Sequence, residues 1–227
     1  MWARTIDGQA LKFHLAGIHN QNFLMRDEQT GSFWQQVSGE CVAGPLRGER
    51  LRRVHSDELT LAQFAAEAPG GTVLQPEAGR DADDYALAWE AQIDRLPTVV
   101  DTSDTSLAPR DLIAGVAIGG EARAYLASTL EQERVIFDEV GGTPVLLWSQ
   151  GGRALRAFDR RVDGEALLLA PAADGALVDA ASGSTWDFRG CATARPRAGT
   201  CLAPVAVLWD YWFDWRAYNP ASTVFGR

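Results

Sequence analysis

The chain has 227 residues, 46% of them hydrophobic and 22% charged, with a formal net charge of -9. That is ample for a packed core, and the absence of a basic stripe argues against nucleic acid as a partner. The longest apolar runs, such as PVLLW at 144–148, are too short to span a bilayer, and residues 1–20 show no basic start followed by a long apolar stretch. The expectation is therefore a chain without a membrane span or secretory signal, cytoplasmic by default or already freed of a leader.

In chain order, Asp7-Gly8 in RTIDG marks a tight turn between extended runs. FHLAGIHNQNF (13–23) reads as extended and holds His14, His19, Asn20 and Asn22. DEQTGSFW (27–34) places Asp27 before a glycine turn and Trp34 just after it, and GPLRGERL (44–51) is a further turn entering a strand at Leu51. SDELTLAQFAAEAP (56–69) predicts a helix near 57–67, with Ser56 or Asp57 as N-cap and Pro69 as the stop. Residues 77–110 form a linker containing a predicted helix at 83–96, DDYALAWEAQIDRL.

Beyond the linker, 112–127 and 133–148 alternate around Gly119-Gly120 and Gly141-Gly142 as hairpins do, and RALRAF (153–158) follows. VDG (162–164), DAASGSTW (179–186) and RPRAGTCL (195–202) repeat the turn signals of the first part. WDYWFDWRAYNP predicts a helix near 210–218 that stops at Pro220.

An offset of 151 sets Gly39 on Gly190, Pro45 on Pro196, Gly48 on Gly199, Phe64 on Trp215 and Pro69 on Pro220, without a gap from 39–76 to 190–227. Upstream the offset becomes 152, setting Asp27 and Trp34 on Asp179 and Trp186, and then 156, setting RTIDGQAL on RRVDGEAL. Self-similarity of this kind reads as an internal duplication. The predicted organisation is a truncated first unit (1–76), the linker (77–110) and a complete second unit (111–227), in one compact body. The fold class is α+β, mainly β: two related β-rich sub-units, each ending in a short helix. Trp34 and Trp186 are expected to be buried against the helix of their own unit, on Phe64 and Trp215. The strands of 112–158 are expected to lie against residues 2–26 and to cover the first strand edge.

The blocks FHLAGIHNQNFLMRDEQTGSFWQQVSGECVAGPLRGERL, DELTLAQF, GVAIGGEARAY and FDRRVDGEAL resemble the bacterial family of unknown function DUF3179 over most of the chain. The resemblance implies two such units in tandem and a front section in the first unit bearing closely spaced cysteines. This chain begins at MWART, after the place where that section would end, and WSQGGRA (148–154) occupies the matched place in the second unit without a cysteine. The family itself implies no activity and no cofactor.

The candidate binding residues are His14, His19, Asn20, Asn22 and Asp27. Imidazole is a metal ligand and a general base, but a regular strand puts His14 and His19 on opposite faces, so only a break at Gly17 would unite them. Asp27 and its match Asp179 suggest paired carboxylates; the alternative is that each bonds the amides of its own turn. Trp209, Trp212 and Trp215 at helical spacing read as core or as an aromatic row.

The cysteines are Cys41, Cys191 and Cys201, an odd number without CxxC or HExxH spacing, so no standard zinc site is read. Cys191 and Cys201 flank a turn and are candidates for a disulfide, while Cys41 reads as a buried small hydrophobe. Two functional readings follow. One is a non-catalytic binding or scaffold protein, its ligand left open between small molecule, protein and glycan, with a homodimer covering the N-terminal strand edge as the alternative to the strands of 112–158. The other is a metal- or thiol-dependent enzyme, or a metal-handling protein, with its site near His14, His19 and Asp27.

Overall fold

The computed structural model describes residues 1–19, 22–75, 100, 103–173 and 175–227; the helix predicted at 83–96 lies outside them. The protein is mainly β. An N-terminal hairpin pairs Thr5–Ile6 with Gln9–Ala10 around Asp7-Gly8. A four-stranded antiparallel meander follows, Phe13–His19, Asn22–Asp27, Phe33–Gln35 and Cys41–Ala43, with each strand beside the next in the chain.

The C-terminal half builds two four-stranded sheets. In one, Leu112–Ile118 lies between Leu208–Tyr211 and Glu121–Leu126, and Thr223–Val224 adds parallel to the last. In the other, Thr143–Gly151 lies between Val135–Val140 and Ala154–Asp159, with Ala203–Val205 at the edge. The Gly119-Gly120 and Gly141-Gly142 pairs turn their hairpins, all four at positive φ. Val116, Tyr125, Leu130, Ile136, Leu147 and Leu155 fuse these sheets into one core. A three-stranded meander, Leu169–Pro171, Leu177–Asp179 and Thr185–Trp186, completes this half.

Three helices are seen among the described residues: α1 (Leu61–Glu67), α2 (Ala127–Glu133) and α3 (Trp212–Tyr218). The N-cap of α1 is Thr60, not Ser56 or Asp57. Its hydroxyl accepts from Gln63 N while the Gln63 side chain accepts from Thr60 N, a reciprocal box that satisfies two free amides. Asp57 is drawn away instead to Arg156, whose guanidinium also takes Glu67.

The two halves share local geometry. Leu11 N donates to Arg4 O (2.7 Å) as Leu167 N does to Arg160 O (2.8 Å). Gly31 N donates to Asp27 O, and Gly183 N to Asp179 O; Leu51 N donates to Gly39 O, and Leu202 N to Gly190 O. Gly39 and Gly190, both at positive φ, give their Cβ space to an aromatic ring. A Cβ there would lie 2.8 Å from Trp2 and 2.4 Å from Phe158 respectively.

Trp34 and Trp186 are fully buried, but not against α1 and α3. Trp34 packs with Leu11, Cys41 and Leu51, and meets Phe13 edge-to-face at 5.9 Å. Trp186 packs with Leu146, Trp148 and Phe158. The reason is visible at Trp34, whose indole N–H is tied to Asp27 Oδ2 (2.8 Å), which turns the ring into its own meander. Trp215 instead lies on Gly115 with Ile113 and Trp212 beside it. The first strand edge also differs from expectation. Ala3 N donates to Arg52 O (2.9 Å) and Val54 N to Met1 O (3.0 Å), so residues 52–54 cover it, and no strand of 112–159 pairs with residues 2–26 among the described residues.

Trp34→Ala removes a fully buried indole and leaves Asp27 without one donor. It should cost about 3–5 kcal/mol of unfolding free energy in a denaturant titration, and an unchanged midpoint would refute this packing.

Candidate functional site

Asp27 is 1% exposed and accepts from Thr30 N (2.5 Å), Thr30 Oγ1 (2.9 Å) and Trp34 Nε1 (2.8 Å). Burial pushes its pKa up, but these donors outweigh burial and hold the carboxyl below its ordinary value. Asp179 is held in the same way by Ser182 and the amides of its turn, with Arg197 nearby. Both carboxylates lock turns, and their oxygens are occupied.

The strand carrying the histidines has a bulge. Leu15 opposes Met25 but Gly17 opposes Leu24, so one extra residue reverses parity. His14 (opposite Arg26) and His19 (opposite Asn22) therefore share a face. They remain four partner residues apart, roughly 13 Å along the strand, and both are exposed. Asp27 lies at the far end of the hairpin from His19, so the structure does not bring His14, His19 and Asp27 together. Asn20 lies outside the described residues. No group of three or more His, Cys, Asp or Glu that could hold a metal occurs among the described residues.

Cys191 and Cys201 face each other across a β-bridge and are joined by a disulfide, with Cα atoms 4.0 Å apart. Glu40 and Arg50, their matches in the first half, face each other in the same way and form an ion pair at 2.7 Å. Cys41 is free and buried.

His19 and Asn22 do meet the second half at α3. Tyr218 OH donates to His19 O (3.1 Å) and Asn22 Nδ2 donates to Asp214 Oδ2 (3.1 Å). Behind this seam lies a carboxylate pair that sequence reading missed, Asp210 and Asp214. Burial, and then the charge of Asp214, push Asp210 up to about 8; burial raises Asp214 as well. Asp210 Oδ2, Asp214 Oδ1 and Asn22 Oδ1 have no hydrogen-bond partner. Two carboxyls in such a place hold one proton between them. Burial and the two carboxylates also push Tyr218 up to about 12. The available signal was two acids four residues apart inside WDYWFDW, an otherwise aromatic segment.

One further surface stands out. Leu15, Ile18 and Phe23 are 61%, 61% and 49% exposed. The register puts them on the face of Phe13 and Met25, continuing the Trp34 core outward along the hairpin. In the second half, Leu169 and Leu177 take the places of Phe13 and Met25, and Leu146, Trp148 and Phe158 bury them. There, Pro171 and Gly175 stand where the first half has Leu15 and Phe23.

The chain belongs to the family DUF3179, described as a protein of unknown function, whose model matches residues 1–222. No curated protein matches the chain, and no solved structure does. No helix among the described residues is long and apolar enough to cross a membrane.

The shared proton predicts a pH dependence. A carboxyl raised from about 4 when unfolded to about 8 when folded binds more protons in the folded state across that window. Stability should therefore fall as pH rises from about 4 to about 8. Asp210→Asn should flatten that slope in thermal unfolding across pH, and an unaltered slope would show that the pair does not titrate in this way.

Proposed function

We propose that the protein is a non-catalytic binding or scaffold domain, built from two copies of one β-unit, whose working surface is the apolar face of the 13–27 hairpin. One observation carries this reading: at matched exposed positions the first half carries the bulky apolar Leu15 and Phe23 where the second carries Pro171 and Gly175. The recurrence of turn bonds at offsets of 156, 152 and 151 supports the duplication. A row of bulky exposed apolar side chains on a hairpin marks an interaction site. Phe13–His19 is also the edge strand of its sheet.

The occupant is a second copy of the chain. An apolar sheet face meets itself about a two-fold axis, so each copy covers the Leu15, Ile18 and Phe23 of the other. Light scattering after size exclusion should give a dimer that dissociates on dilution, with Ile18→Asp monomeric and melting no lower than the wild-type monomer. A wild type that is monomeric at every concentration, or a variant as dimeric as its parent, would reject this occupant. Stoichiometric transition metal in the purified protein would instead favour the metal-dependent reading.

A further inference from the structure

Two hollows flank Ala206 and Leu208: one of about 340 Å³ between the halves, and one of about 280 Å³ behind residues 53–58. The larger exists because Gly115, Ala117 and Ala206 put no bulk into it, while Trp2, Trp215 and Tyr218 wall it. A side chain at position 115 is excluded, since a Cβ would lie 2.3 Å from the Trp215 ring. The lining is mixed: Gln35, Ser38 and Asn219 stand beside the apolar wall of Ala117, Ala206 and Leu208, and cavities of this size at the junction of two units are where small ligands bind.

The charges sort the ligand. Arg50 lines the larger hollow but is neutralised by Glu40 at 2.7 Å. Arg156 lines the smaller and is held by Asp57 and Glu67. Arg53 lines both. It lies over the Trp2 ring at 5.3 Å, and among the described residues no carboxylate is within 4.0 Å of it. The chain has 30 acidic residues against 21 basic ones, so acids were available to pair it. Desolvation by its neighbours also lowers its pKa, which an anion would reverse.

We propose that this junction binds a small organic acid, its carboxylate paired with the Arg53 guanidinium and its compact apolar body lying over Ala117, Ala206 and Leu208. Guanidinium meets carboxylate through two parallel hydrogen bonds, a geometry that lysine does not offer. The site is distinct from the apolar hairpin face, so each stands or falls alone.

Calorimetry with hexanoate, hexanol and inorganic phosphate tests it, with the indoles of Trp2 and Trp215 as a fluorescence readout. Hexanoate should bind, and both controls should bind at least about tenfold more weakly. Arg53→Met should weaken hexanoate by at least about tenfold, and Arg53→Lys by less. Ala117→Phe, which fills the hollow and leaves Arg53 in place, should abolish binding. Four results would each overturn the assignment: no hexanoate binding at millimolar concentration, hexanol or phosphate binding as tightly as hexanoate, unchanged affinity in Arg53→Met, or unchanged affinity in Ala117→Phe. If Arg53→Met fails to fold, the Arg53→Lys and Ala117→Phe proteins give the same decision.

Discussion

The guanidinium of Arg156 holds the two halves of the molecule together. Its Nε donates to Asp57 Oδ2 at 2.9 Å, and Nη1 and Nη2 donate to the two oxygens of Glu67 at 2.8 Å each. Its carbon lies 4.8 Å from the centre of the Phe188 ring. The side chain is only 8% exposed, so it has given up most of its water and depends on both acids. Helix α1 buries no residue of its own; charge rather than apolar packing fixes it to strand Ala154–Asp159. The second tie, Asn22 to Asp214 and Tyr218 to His19, joins the tip of the first meander to α3. The hollow around Arg53 lies between the halves that these two ties connect.

With the halves fixed in this way, the two matched hairpins expose the same outer end, the first with Leu15 and Phe23 and the second with Pro171 and Gly175. Sheet faces need a cover, and in the second half Leu146, Trp148 and Phe158 provide it. In the first half Trp2 takes the place of Phe158 against Gly39, which closes the bottom of the core around Trp34. Nothing among the described residues covers Leu15, Ile18 and Phe23. Leu15 and Phe23 stand where the second half has the exposed Pro171 and Gly175, so the first hairpin carries apolar bulk where the second carries little.

Much of the scaffold was legible in the sequence, because Asp-Gly, Gly-Gly and Gly-Pro steps dictate turns locally and Gly39 and Gly190 must give way to rings. The C-terminal ends of α1 and α3, each followed by a proline, were readable for the same reason, whereas α1 starts four residues later than expected. Other features needed tertiary structure. The N-cap moved to Thr60 because Arg156 claims Asp57 from another strand. The histidine parity reverses at the bulge between Leu15 and Gly17, the break that Gly17 allowed, but the distance between the two rings needed the register. The carboxyls make the point most plainly. Asp27 sits among donors and is held low, whereas Asp210 sits near another acid away from water and is pushed high. Only the folded surroundings distinguish a turn lock from a proton-sharing pair.

Amide hydrogen exchange followed at low and high protein concentration tests the central claim, that the apolar row on the 13–27 hairpin meets a partner copy. The account predicts that amides of Phe13–His19 become slower to exchange as concentration rises, while those of Leu169–Asp179 do not change. Exchange in Phe13–His19 that is independent of concentration would contradict it.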